Sequence, residues 1–176
     1  MSKNCLFWLD MEMTGLDSKQ DKILEIATIV TGWDLSIKAT YEATIKVSES
    51  ILKARMKGRF WNKNKKVRDA LIAASKKGRD IADVEQELID FVQKNYTKRT
   101  IYLAGNSIHQ DRKFLEQEMP KLNKMFHYRL LDVSAYKIYF QEVLGMKLEK
   151  PEAHRALDDI SGSISEFKQY IGMIQK

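Results

Sequence analysis

The chain has 176 residues, enough to bury a sizeable core within a single domain, and its balance of 44% hydrophobic and 31% charged residues is that of a globular protein. The lone cysteine, Cys5, excludes an internal disulfide framework, no charged and apolar leader opens the chain, and the longest apolar runs are far too short to cross a bilayer, so a cytoplasmic protein is expected. A net charge of +6 and a pI near 9.2 point to a polyanionic partner without identifying it.

The first predicted element is a strand over residues 5–12. Leu6, Phe7, Trp8 and Leu9 are apolar on both faces, the pattern of a strand buried in the middle of a sheet, yet Asp10 and Glu12 follow directly. Residues two apart on a strand point to the same side, so both carboxylates are aimed at one spot beside a core. Left unpaired they would cost several kcal/mol or take up protons; a cation between them is therefore expected. Two further strands follow, over residues 22–31 and 36–47, joined by short loops as in a meander.

Helices are predicted over residues 60–77 and 81–95. The stretch from Lys53 to Arg79 holds eleven Lys and Arg against one acid, Asp69, a net charge of +10 that exceeds the excess of the whole chain. Such a run is read either as a solvated helix face or as a phosphate-attracting flank of a site otherwise repellent to anions. A short strand over 100–106 comes next, then a helix over 108–119 in which Ser107 and Gln110 have capping-box spacing. Asp111 lies three residues before Phe114 and four before Leu115, on the same helix face, and so leans toward the core at the carboxyl end of a strand. A strand over 128–132, a helix to about 144 and a last helix over 153–174 complete the chain, with Pro120 and Pro151 at boundaries. With Ile160 as the core direction of the last helix, Ala156, Leu157, Ile164, Phe167 and Ile171 fall within about 60° of it. Asp158 then points about 160° away, into solvent, whereas Asp159 lies about 100° away, on a flank that reaches the sheet. His154 meets Asp159 only if it sits on the loop entering that helix. Four inward acids from separate segments, without a Cys or His cluster, point to hard divalent cations such as Mg²⁺ or Mn²⁺ and, with the one His, to two-metal phosphoryl transfer.

Three motifs in order, 10-DME-12, 106-NSIHQD-111 and 154-HRALDD-159, resemble the exonuclease motifs of the DEDDh superfamily. WLDMEMTGLD, EIATIVT, AGNSIHQDRKFL, HYRLLDVS and HRALDDI resemble its oligoribonuclease family, in order over nearly the whole chain. The resemblance implies an α/β, RNase H-like fold in one domain, residues 1–176, with a mixed five-stranded sheet of three antiparallel strands and then parallel ones, flanked by helices. It also implies a homodimer that releases 5′-nucleoside monophosphates from the 3′ end of very short RNA, dinucleotides included, with no organic cofactor. Carried over by motif, Asp10, Glu12, Asp111 and Asp159 hold two Mg²⁺ or Mn²⁺ ions and His154 is the general base. Leu16 resembles the wedge between the last two bases, Ser107 and Gln110 the sugar and phosphate contacts, and Tyr128 and Arg129 the cross-subunit contacts. The family places a His that caps the 5′ phosphate where this chain has Lys66, and the segment before His154 is slightly short. A proofreading-type DNA exonuclease shares the catalytic set, and a non-catalytic nucleic-acid-binding module would need only the basic segment; release of mononucleotides from matched RNA and DNA dinucleotides separates these readings.

Overall fold

The computed structural model describes residues 4–96, 99–146 and 155–174. A five-stranded sheet is built from β1 (Cys5–Met13), β2 (Ile23–Thr31), β3 (Ile37–Thr44), β4 (Ile101–Gly105) and β5 (Leu131–Asp132), in the order β3-β2-β1-β4-β5. The first three strands form the expected antiparallel meander, and β4 and β5 add in parallel. This is the mixed α/β sheet anticipated from the sequence.

Strand alternation divides β1 between two cores. Cys5, Phe7, Leu9 and Met11 face one side, where Val84, Leu88 and Val92 of α4 (Ile81–Tyr96) and Phe114 and Leu115 of α5 (Ile108–Glu118) cover them. Leu6 and Trp8 face the other, against α7 (Val133–Leu144) and α8 (Ala156–Ile174), through Phe140, Ile160 and Phe167. The Trp8 ring is fully buried and its indole N–H donates to Thr31 Oγ1 at 2.9 Å. Trp8→Phe strands that hydroxyl and leaves a void. A loss of about 1–3 kcal/mol is expected in urea unfolding, and Trp8→Phe with Thr31→Val should cost less than the two changes summed.

Several boundaries differ from those read in the sequence. The continuous helix expected over 60–77 is two helices, α2 (Arg59–Lys63) and α3 (Lys65–Ser75), that meet at Asn64, where φ of −104° and ψ of 41° leave helical geometry and both the backbone N–H and the side-chain amide donate to the Phe60 carbonyl. An unpredicted helix, α1 (Glu49–Arg55), precedes them, capped by Ser48. With α2 and α3 it packs a separate small core, Leu52, Met56, Trp61 and Leu71, around Leu24 of β2. The chain beyond Met119 makes one more turn, α6 (Pro120–Asn123), with Pro120 in the first turn, where its missing N–H costs nothing. β5 is shorter than predicted, two residues, because only Leu131 and Asp132 register with β4. Pro151 lies outside the described residues.

Candidate active site

The sheet opens at the carboxyl ends of β1 and β4. Gly105, the last residue of β4, approaches β1 so closely that a Cβ there would lie 2.8 Å from the Leu9 carbonyl, and pairing between β1 and β4 stops at Trp8 and Ala104. Past that point Asp111 of α5 meets the strand's edge, where the Met11 N–H favours its charged form. The side chain is buried, and burial first, then the nearby Asp10 charge, holds its carboxyl well above the usual carboxylate range.

On the α8 side of the same opening, Asp10, Glu12 and Asp159 each place a carboxylate oxygen within 4.8 Å of the others. The two strand acids share a face, as strand alternation requires. The third arrives from the first turn of α8, while its neighbour Asp158 is exposed, so the helix-wheel choice between the two acids matches the structure. Burial, followed by the charges of Asp10, Asp159 and Glu25, pushes Glu12 up to about 8. A cluster that repels itself this strongly at neutral pH suits a hard cation held by oxygen donors. Asp111 stands beside Asp10 but outside the group of three. His154 lies outside the described residues.

One flank of the site is a cleft of about 590 Å³ lined by Glu12, Leu16, Arg55, Lys57, Phe60 and Trp61 among others. Leu16 is 73% exposed at its mouth. It rides on a turn built around the buried Asp21, a residue the sequence reading passed over. Thr14 Oγ1 donates to Asp21 Oδ1 at 2.9 Å, the Asp17 N–H to Oδ2 at 3.0 Å and Arg55 Nε to Oδ1 at 2.7 Å, and Trp61 Nε1 pins the Thr14 carbonyl at 3.0 Å. Burial alone would raise the Asp21 carboxyl; these donors outweigh it and hold it below the ordinary range. The exposed leucine thus stands on a firmly braced turn.

Ser107 departs from expectation. It does precede the first residue of α5, but its φ is +51°, left-handed, and its side chain makes no capping bond; its Oγ lies 3.2 Å from Ser134 Oγ. The Ser107 N–H donates to Asp132 Oδ1 at 3.0 Å and Ser134 Oγ at 2.9 Å, which fixes that conformation. Gln110 instead accepts from Lys113 Nζ at 2.9 Å. The capping box read from the spacing is therefore absent. Lys66 is exposed in the first turn of α3 and borders a cavity of about 240 Å³ shared with Glu25 and Arg155. Tyr128 and Arg129 are exposed, with the guanidinium 5.3 Å from the Tyr128 ring centre, and neighbouring His127 is tied to Ile101 at the amino end of β4. They stand at the opposite end of that strand from the carboxylates of their own chain.

Residues 7–167 match the Exonuclease family, RNase T type. The oligoribonuclease of Neisseria meningitidis serogroup A is 40% identical over 173 residues, covering 96% of this chain and 91% of that protein. The chain belongs to the oligoribonuclease family of exonucleases. Another oligoribonuclease, the human mitochondrial protein, is 37% identical over 177 residues, covering 97% of this chain and 73% of its own. Solved structures of exonuclease I share the fold. That of Methylocaldum szegediense superposes with a TM-score of 0.62 at 15% identity over 92% of this chain, and the zinc-bound complex of the E. coli enzyme with single-stranded DNA with 0.65 at 11% over 98%. The chain spans about two fifths of those proteins, 39% and 41%, so the shared part is the exonuclease fold itself. As an oligoribonuclease-family member the chain is a nuclease, and the acidic cluster at the sheet opening falls within the matched residues. No helix among the described residues is long and apolar enough to cross a membrane.

Proposed function

We propose that the chain is a 3′-to-5′ exoribonuclease that hydrolyses very short RNA, dinucleotides above all, to 5′-nucleoside monophosphates with the help of two Mg²⁺ or Mn²⁺ ions. The observation that carries this reading is the convergence of Asp10, Glu12 and Asp159 on one point, with Asp111 beside Asp10, in a chain of the oligoribonuclease family. Those four acids would hold the metal ions. When bound, the ions lower the pKa of an attacking water and stabilise the leaving 3′ oxygen. His154 takes the water's proton, and the crowding of acids keeps the reacting phosphate from entering unless cations neutralise them. Leu16 wedges the terminal base away from its neighbour, and Ser107 and Gln110 contact the sugar and phosphate. Tyr128 and Arg129, exposed next to His127 at the amino end of β4, close the site of the other subunit in a homodimer. No organic cofactor enters the reaction, and the reading places the enzyme in the cytoplasm.

An end-labelled RNA ladder of two to about twenty nucleotides, assayed with Mg²⁺ and with chelator, tests this. Metal-dependent turnover with the highest kcat/KM on dinucleotides is expected. Equal kcat/KM across the ladder, or equal turnover of the matched DNA dinucleotide, would favour a general or DNA exonuclease instead. Within the same assay, Lys66→Ala should lower the preference for a 5′-phosphorylated over a 5′-hydroxyl dinucleotide by about 2- to 30-fold, the worth of an exposed charge contact to phosphate. Because a Lys keeps its charge to about pH 10 while a phosphate gains its second charge near pH 6, that preference should hold or rise between about pH 6.5 and 8.5. An unchanged ratio at every pH would assign Lys66 to the solvated basic face.

A further inference from the structure

Between the helix that carries Asp111 and the helix that carries Asp159 lies a buried set of polar contacts in an otherwise apolar layer. Asn106, one residue past β4 and five before Asp111, donates both hydrogens of its side-chain amide to α8: to Ser163 Oγ at 3.0 Å and to Glu166 Oε2 at 3.1 Å. Ser163 in turn donates its hydroxyl to the carbonyl of Asp159 at 2.9 Å. Glu166 receives a second donor, the Tyr170 hydroxyl, at 2.9 Å on Oε1. Ser163, Glu166 and Tyr170 are all buried. The neighbouring residue, Ser107, is held in a left-handed backbone conformation that a non-glycine residue adopts at a cost, by its own pair of bonds to Asp132 and Ser134.

Apolar side chains would join β4 to α8 without the cost of burying an amide, a hydroxyl and a carboxyl, as Trp8 and Phe167 join the neighbouring β1 to α8. Hydrogen bonds are directional where apolar contacts are not, so a fully partnered network sets distance and angle together. Resting on the metal-site reading above, we propose that Asn106, Ser163 and Glu166 are positioning residues that set the spacing between Asp111 and the Asp10–Glu12–Asp159 group, and thereby the affinity for the divalent ions. Asn106 ties the start of α5 to α8, and Ser163 passes that tie to the backbone of Asp159 itself. Glu166, seven residues after Asp159 on the same flank of α8, keeps the Asn106 amide turned toward the helix.

The test uses the full chain and Mn²⁺ as the probe. Mn²⁺ binding by titration calorimetry, kcat and KM on an RNA dinucleotide, and urea unfolding are measured for wild type, Asn106→Asp, Ser163→Ala and, as a control remote from the site, Tyr41→Phe, which loses the hydroxyl's bonds to Glu87 and Arg79. Asn106→Asp and Ser163→Ala are expected to weaken Mn²⁺ binding by about 10- to 100-fold and to lower kcat by about tenfold or more at near-constant KM, as outer partners of metal ligands do. Tyr41→Phe should lose stability and leave Mn²⁺ affinity alone. Glu166→Gln, which keeps one acceptor oxygen, should lose less than Glu166→Leu. If Asn106→Asp does not fold, Ser163→Ala, which removes a single hydroxyl, decides the matter. Mn²⁺ affinity and kcat equal to wild type in Ser163→Ala would overturn the network's role while leaving the metal site standing. A wild-type chain that binds no Mn²⁺ would overturn the metal reading and the network with it.

Discussion

Asp10→Asn is expected to lower kcat by roughly 10³-fold or more, since a lost metal contact removes several kcal/mol, about 4, of transition-state stabilisation. The fold should not suffer. Asp10 is one of three acids whose oxygens lie within 4.8 Å of one another, and its charge is among those that force Glu12 up to about 8, so its removal relieves repulsion in the metal-free protein. Thermal unfolding in chelator should therefore show an unchanged or higher Tm. Asp159→Asn should behave alike, because it belongs to the same group, whereas Asp158→Asn, exposed one residue earlier, should stay within about twofold of wild type, like most surface changes. Retention of more than about a tenth of wild-type kcat by Asp10→Asn would remove that residue from the metal site. A silent Asp159→Asn beside an inactive Asp158→Asn would show that α8 presents its other acid.

The features most legible in the sequence are those in which charge contradicts its surroundings. Asp10 and Glu12 end a strand that is apolar on both faces, and Asp111 sits on the apolar side of its helix, so simple periodicity finds them, as it separates Asp159 from Asp158. What stayed hidden depends on contacts between segments far apart in the chain. Asp21 reads as an ordinary loop acid, and only the arrival of Arg55 and Trp61 from the small helical core makes it the centre of the turn under Leu16. Ser107 has the spacing of a capping box, but Asp132 and Ser134, brought alongside by β5, capture its N–H and twist it out of capping geometry. Asn64 interrupts a helix that periodicity carries straight through, by backbone angles that hydrophobic patterning does not register. Glu166 carried a usable signal: an acid seven residues after Asp159 falls within about 20° of it on an ideal helix, and so on the flank facing the sheet. His154, which the family resemblance offers as the general base, lies outside the described residues, so only the sequence speaks for it.

Without metal, the protein should lose stability as pH rises from about 4.5 to about 8, the reverse of ordinary acid denaturation. Glu12 has its carboxyl raised to about 8 by burial and by Asp10, Asp159 and Glu25, and Asp111 is raised well above the usual range, chiefly by burial. Throughout that window the folded chain keeps protons that the unfolded chain has already released, so unfolding is favoured as pH climbs. The acid-side arrangement is therefore the stable one, and its advantage is gone once pH passes the folded-state value. Asp21 works in the opposite sense. Its carboxyl is held low by Arg55, Asp17 and Thr14, so its contribution is complete above the ordinary Asp range and fades only in stronger acid, outside the window. A shift of this size in Glu12 corresponds to a few kcal/mol between pH 5 and 8, on the order of 1.4 kcal/mol per pH unit at its steepest. Saturating Mg²⁺ should flatten the profile, because a bound cation favours the ionised acids in the folded state alone, and the gain in stability on adding Mg²⁺ should be larger at pH 8 than at pH 5. Urea unfolding at pH 5, 6, 7 and 8, in chelator and in Mg²⁺, measures both slopes. Glu12→Gln, which carries no charge at any of these values, should remove most of the decline in chelator. A metal-free profile that is flat or rises toward pH 8 would mean that the carboxylates at the sheet opening do not strain one another, and the main physical reason for a cation there would be lost.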